Sequence, residues 1–152
     1  MKSALRFTAV AAAVLAFALT GGCSTYGSSS TTINYSYEPL YSFAGLKTYR
    51  WAEARPSSWG DPLVESNVRF LADRALEAKG LTSKTDKPDV VISTNYGYGY
   101  AYELRSLVVT VSRADKNEVV WRGMASGPIN TDASSPDLKN AVEGILAKFP
   151  PK

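Results

Sequence analysis

The 152-residue chain contains no histidine and only one cysteine, Cys23. Histidine is the commonest general base near neutral pH and a common metal ligand, so its absence removes both roles at once. With Cys23 committed to the anchor described below, Ser-His-Asp triads, Cys-His nucleophiles and zinc sites built from His or Cys are excluded. A lone thiol also has no intramolecular disulfide partner. Charge is sparse, 17 Lys and Arg against 14 Asp and Glu. It is scattered without a basic stripe, which argues against nucleic acid as a partner. No apolar run is long. The longest, Ala9 to Leu19, has eleven residues, well short of the roughly 20 that span a hydrocarbon core. A phosphate-cradling loop is missing too, because Gly97 and Gly99 are interleaved with tyrosine and followed by a strand pattern.

What is present begins with a delivery signal. Lys2 and Arg6 form a basic region, the run Ala9 to Leu19 follows, and the small residues Gly21 and Gly22 mark a cleavage point. Cys23 comes directly after them. Leu19-Thr20-Gly21-Gly22-Cys23 resembles the lipobox of bacterial lipoprotein precursors, in which a lipoprotein signal peptidase cuts before a cysteine carrying diacylglycerol. The pattern usually has leucine three positions before the cysteine; here Thr20 stands there and Leu19 is one step further away. The resemblance implies that residues 1–22 are removed and that Cys23 takes up acyl chains such as palmitate. Two or more such chains hold a protein stably on a membrane. By the same resemblance, a residue other than aspartate after the cysteine, here Ser24, implies the outer membrane in a double-membraned host. Cleavage leaves 130 residues with fifteen basic and fourteen acidic side chains, enough for one domain.

Ser24 to Thr32 is rich in Ser, Thr and Gly and is expected to be a flexible tether with a reach of roughly 15–20 Å. The remainder, 33–152, is expected to form a single domain. Ile33, Tyr35 and Tyr37 alternate with polar residues and predict a first strand with one buried face; Lys47 to Trp51 predicts a second. Arg55 to Asp61 is a loop by composition. Asp61-Pro62 opens a helix, Val64, Val68, Leu71 and Ala75 form its stripe, and Gly80 stops it. Leu63 and Phe70 lie off that stripe and are expected to touch a neighbouring loop or strand. Asp89 to Thr94, Leu107 to Ser112 and Glu118 to Ala125 predict three more strands, the last two a hairpin turning at Ala114 to Asn117. Ser134 to Asp137 opens a second helix whose stripe is Leu138, Ala141, Val142, Ile145, Leu146 and Phe149. The order β-β-α-β-β-β-α predicts an α+β two-layer sandwich: a largely antiparallel sheet with both helices on one face.

Tyr41-Ser42-Phe43, Lys47 to Trp51, Lys79-Gly80-Leu81, Pro88 to Val91, Val119 to Gly123 and Ile145 to Pro151, in that order, resemble the bacterial lipoprotein family known as domain of unknown function 4136. The resemblance runs from about Tyr37 to Pro151. It implies an envelope lipoprotein with an α+β domain, and it brings no catalytic residues with it.

The candidate sites follow. Asn95 to Tyr102 alternates tyrosine with glycine or alanine, so an extended segment places Tyr96, Tyr98, Tyr100 and Tyr102 on one face. Such a face suits an envelope protein partner or sugar rings; alternatively these tyrosines cover the edge of the core. Trp121 shares a face with Val119 and is expected in the core; the alternative reading of this segment is a ligand contact through Arg122. Trp51 and Trp59 are expected to be core or loop anchors. The carboxylates Asp86 and Asp89 lie close together, as do Asp132 and Asp137; each set contains a turn or cap residue, and neither fits a calcium loop. No cofactor or metal is expected. The sequence predicts a non-enzymatic binding or structural module of the cell envelope, tied to the membrane through Cys23. The alternative is a small-ligand or glycan binder that uses Tyr96 to Tyr102. A hydrolase built on two carboxylates is not visible in a sequence, because their separation is set in three dimensions.

Overall fold

The computed structural model describes residues 30–53, 61–84, 86–101 and 103–151. The delivery signal, Cys23, most of the tether, Trp59 and Tyr102 lie outside the described residues. The chain runs β1 (Thr32–Tyr37), β2 (Thr48–Trp51), α1 (Pro62–Glu77), β3 (Thr82–Ser83), β4 (Val90–Tyr98), β5 (Glu103–Arg113), β6 (Val119–Asn130) and α2 (Asp137–Leu146). The strands form one six-stranded sheet in the order β1-β6-β5-β4-β2-β3. Pairings β1–β6, β6–β5 and β5–β4 are antiparallel; β2–β4 and β2–β3 are parallel. The predicted α+β sandwich is therefore the observed one, with a short β3 that the sequence pattern did not disclose. Two residues, Thr82 and Ser83, carry no period to read.

Helix α1 begins where its sequence says it should. The Asp61 carboxylate accepts from the Leu63 N–H at 2.8 Å, and Pro62 occupies the first turn, where a missing N–H costs nothing. Gly80, at φ +85°, takes the left-handed conformation that ends the segment. Replacing Asp61 by alanine is expected to lower stability by about 1 kcal/mol. The check is a lower urea midpoint with an unchanged slope. The buried stripe is Val64, Val68, Ala72 and Leu76, whereas Leu71 and Ala75 are only partly buried. Leu63 and Phe70, off that stripe, are 73% and 59% exposed, and the Arg74 guanidinium lies 5.7 Å from the Phe70 ring centre; the loop 54–60 lies outside the described residues.

Helix α2 follows its pattern closely. Leu138, Ala141, Val142, Ile145 and Leu146 are buried, and so is Phe149 just beyond it. They lie over β6 and β1, and α1 packs beside them. β1 departs from expectation. Only Ile33 is partly buried on the strand, beneath α2, where a Cβ on Gly144 would lie 3.2 Å from Ile33 Cδ1. Tyr35 and Tyr37 remain 49% and 44% exposed, because β1 is the sheet's edge.

Two irregularities defeat simple alternation. A register shift leaves Val120 as the extra residue between the pairs Ser112↔Val119 and Val111↔Trp121. Val120 and Trp121 are consequently both buried, while Val119 is half exposed, so Trp121 does not share its environment with Val119. A second shift at Arg105 keeps both Leu104 and Leu107 in the core. A bulge inserts one residue and flips the inward set of side chains beyond it.

Candidate functional site

Three neighbourhoods carry the polar and aromatic groups that could act on something. The first lies along α1, where Glu65, Arg69 and Asp73 stand one turn apart beside the apolar stripe and face β2 and β4. The Glu65 carboxylate accepts from Arg69 Nε, from Thr94 Oγ1 at 2.8 Å and from the Tyr96 hydroxyl. Asp73 Oδ1 accepts from the Tyr49 hydroxyl at 2.6 Å and from Trp51 Nε1 at 2.8 Å. The Arg69 guanidinium lies 5.1 Å from the Trp51 ring centre and donates to the Ala52 carbonyl. Burial raises the Glu65 pKa, but the hydrogen bonds from Tyr96, Arg69 and Thr94 outweigh it and hold the carboxyl below its ordinary value. Burial, then the bond to Glu65, pushes Tyr96 far up; burial and Asp73 do the same to Tyr49. Each of these groups is satisfied by another member of the fold. Trp51 serves as the predicted anchor.

This cluster decides the fate of the tyrosine segment. Tyr96 is partly buried, and its hydroxyl is committed to Glu65. The Tyr98 hydroxyl accepts from the Asp61 N–H at 3.1 Å. The two rings lie 6.0 Å apart and tilted by 46°. β4 ends at Tyr98, and Tyr100, 91% exposed, sits in the bend beyond. Tyr96, Tyr98 and Tyr100 are therefore not a single platform on one strand. Tyr96 and Tyr98 clip the cap and first turn of α1 to the sheet, and Tyr102 lies outside the described residues.

The second neighbourhood is a shallow depression lined by Tyr41, Ser42, Leu46, Pro88, Asp89 and Arg113. Asp89 Oδ2 accepts from the Lys47 and Thr48 N–H groups, at 3.0 and 2.8 Å, and from Thr48 Oγ1 at 2.9 Å. These bonds hold its pKa down, and they fasten the start of β2 to that of β4. Arg113 makes a two-point ion pair with Asp115, at 2.9 and 2.6 Å, so that charge is answered inside the chain. Asp132 accepts from the Ser134 backbone and hydroxyl, and Asp137 from the Asn130 N–H. Asp132 fills a turn role, whereas Asp89 bridges segments 41 residues apart and Asp137 stands inside the first turn of α2, whose cap position holds Pro136. Among the described residues, no three His, Cys, Asp or Glu side chains are grouped to hold a metal.

The third neighbourhood is a line of rings running from the core to the sheet edge. Trp121 meets Phe149 at 5.1 Å, Phe149 meets Phe43 at 6.1 Å, and Phe43 meets Tyr41 at 4.8 Å and Tyr37 at 6.2 Å. Tyr37 stacks on Tyr35 with an interplanar angle of 10°. The sequence singled out Tyr35 and Tyr37 only as strand residues. Tyr37 meets Phe43 only six residues on, but the line reaches the core through Phe43 and Phe149, which lie 106 residues apart. Arg122 projects from β6 between Ser36 and Thr110 on the face away from α2.

Fold and site together define a two-layer α+β domain in which Glu65, Asp73 and Asp89 are answered by their own chain and Tyr35 and Tyr37 stand half exposed at one sheet edge. The chain belongs to the family described as Domain of unknown function (DUF4136), whose model matches residues 33–99 and 93–151. No curated protein matches it. Two structures of a PelC dodecamer from Paraburkholderia phytofirmans share its fold, with TM-scores of 0.55 and 0.54 at 15% and 14% identity. Each alignment covers 78% of this chain and 95% or 96% of theirs. A PDZ domain protein from Parabacteroides distasonis aligns with a TM-score of 0.58 at 14% identity, over 79% of this chain and 35% of that one.

Proposed function

We propose that this chain is a lipid-anchored protein of the bacterial envelope that works by contact, as a non-enzymatic structural or binding module. Cys23 holds it on the periplasmic face of the outer membrane. The observation that carries the contact reading is the use of its acids: Glu65, Asp73, Asp89, Asp132 and Asp137 each accept hydrogen bonds from their own chain. The open surface is aromatic instead. The fold shared with a protein that forms a dodecamer supports a role in an assembly. The lipobox-like Leu19 to Cys23 supports the address.

The test is the state of Cys23 in protein purified from its native host. Mass spectrometry is expected to find an N-terminal acylated cysteine, and fractionation to find the protein with membranes. Cys23→Ala placed behind an ordinary cleavable secretory signal is expected to move at least about nine-tenths of it to the aqueous fraction, since a protein without acyl chains loses the anchoring energy of about 0.8 kcal/mol per buried CH₂. A free thiol on soluble wild-type protein would overturn the reading.

A further inference from the structure

We propose that the outer edge of β1 pairs with β1 of a second copy of this chain, antiparallel and about a two-fold axis at Tyr35. β1 is a terminal strand of the sheet. The Glu38 N–H donates to the Val120 carbonyl at 2.9 Å, and the register continues as Ser36↔Arg122, Asn34↔Met124 and Thr32↔Ser126. In an antiparallel ladder, hydrogen-bonded residues alternate along the strand. The even-numbered residues therefore turn their backbone toward β6, and Ile33, Tyr35 and Tyr37 turn theirs outward.

An open edge is a template for another strand, and proteins normally blunt one with charge, proline, a bulge or short length. Within β1 itself none of these occurs; Glu38 and Pro39 follow directly and limit the open edge to its six residues. Its six residues, Thr-Ile-Asn-Tyr-Ser-Tyr, are uncharged and free of proline, and they pair with β6 without a register shift. The opposite edge is protected: β3 has two residues and is followed closely by Lys84, Asp86 and Lys87. One open edge and one guarded edge favour like against like, not a head-to-tail chain of sheets.

The occupant is a second copy because the strand is complementary to itself. Antiparallel pairing centred on Tyr35 sets Tyr35 against the partner's Tyr35 and Ile33 against the partner's Tyr37. The outward N–H and C=O groups of these three residues are then all satisfied. Ile33, Tyr35 and Tyr37 share the face that carries α2, so rings that are half exposed in one copy close over the seam. No charge is buried. One strand pair with its rings is smaller than the roughly 1,200 Å² of a stable standard interface, so association depends on concentration. A common membrane surface supplies that concentration. This last contribution rests on the anchor at Cys23; the pairing geometry does not.

The test uses the full chain in its native host. Tyr35→Cys treated with a short bis-maleimide is expected to give a band at twice the chain mass. The wild type, whose only thiol is Cys23, is expected to give none. A wild-type band would overturn the acylated anchor, whereas loss of the Tyr35→Cys band alone would overturn the β1 seam. Purified wild type in density-matched detergent is expected to sediment as an even number of chains as its concentration rises. Tyr35→Pro removes an outward N–H and leaves the Asn34 and Ser36 bonds to β6 in place, so it is expected to weaken association at least about tenfold. Tyr35→Lys, which sets like charges opposite each other, is expected to act alike if the proline variant fails to fold. A monomer at every concentration, association unchanged in both folded variants, or a cross-link to a different protein would each overturn the proposal.

Discussion

Replacing Trp121 by alanine is expected to cost the domain roughly 3–5 kcal/mol, the range for removing a large aromatic from a packed core. Trp121 is completely buried and joins the sheet to Phe149 and so to the whole line of rings. Against a total stability of about 5–15 kcal/mol for an ordinary domain, the variant should unfold at much lower urea. Trp121→Phe is expected to lose much less. It keeps a ring against Phe149 and removes Nε1–H, which has no hydrogen-bond partner among the described residues. Gly123 sets the other wall of the same site: a Cβ there would lie 2.4 Å from Trp121 Cη2 and 2.6 Å from Ile145 Cγ2. Gly123→Ala is therefore expected to cost about 1–3 kcal/mol by overpacking. In the Trp121→Phe background that cost should shrink, because the far edge of the indole is gone, though Ile145 remains. Urea unfolding of the single and double variants measures the coupling directly, and additive losses would refute this packing account.

Glu65→Ala is expected to have the second largest effect, with a pH signature of its own. It strips the acceptor from Arg69, Thr94 and Tyr96. Hydrogen bonds to a charged group contribute about 1.5–3 kcal/mol, and the partial exposure of this side chain to water places the expected loss near 2 kcal/mol. The folded carboxyl is held below the ordinary value of 4.5. Its contribution is thus complete above that value and disappears as pH falls through the lowered folded value. The stability gap between wild type and variant should accordingly close in acid. Tyr96 and Tyr49 have the opposite sign, because both are raised above 10.0. Their contribution is complete below about pH 10 and is lost as pH rises beyond it, since the unfolded chain then sheds protons that the fold retains. Urea midpoints from about pH 3 to about pH 11 test both limbs. A Tyr96→Phe variant that fell as steeply as wild type in alkali would refute the assignment.

The elements most legible in the sequence were those whose partners lie within one turn or one strand. Asp61-Pro62 and Gly80 framed α1 because capping and left-handed backbone are local properties. The stripe of α2 was readable to its last residue, since a helix covered on one side by a sheet must repeat apolar positions at its own period. The hairpin β5–β6 was legible from two alternating runs and a polar turn. By contrast, Val120 and Trp121 enter the core together through a bulge, and no alternating pattern anticipates an inserted residue. The tyrosine segment shows the same limit. Period two put its rings on one face, but β4 stops at Tyr98, and Tyr96 is used by a glutamate 31 residues away.

The sequence by itself determined the fold class, the two helices with the buried stripe of α2, and the exclusion of histidine chemistry. All of these follow from composition or from periods that each segment carries within itself. The tertiary structure alone decided that Glu65 and Asp73 are answered by β2 and β4 and that Tyr35 and Tyr37 end an aromatic line at an open edge. Those facts depend on which distant segments become neighbours. Strand order, register and bulges set that, and the free energy behind them belongs to the packed whole, not to any one stretch of chain.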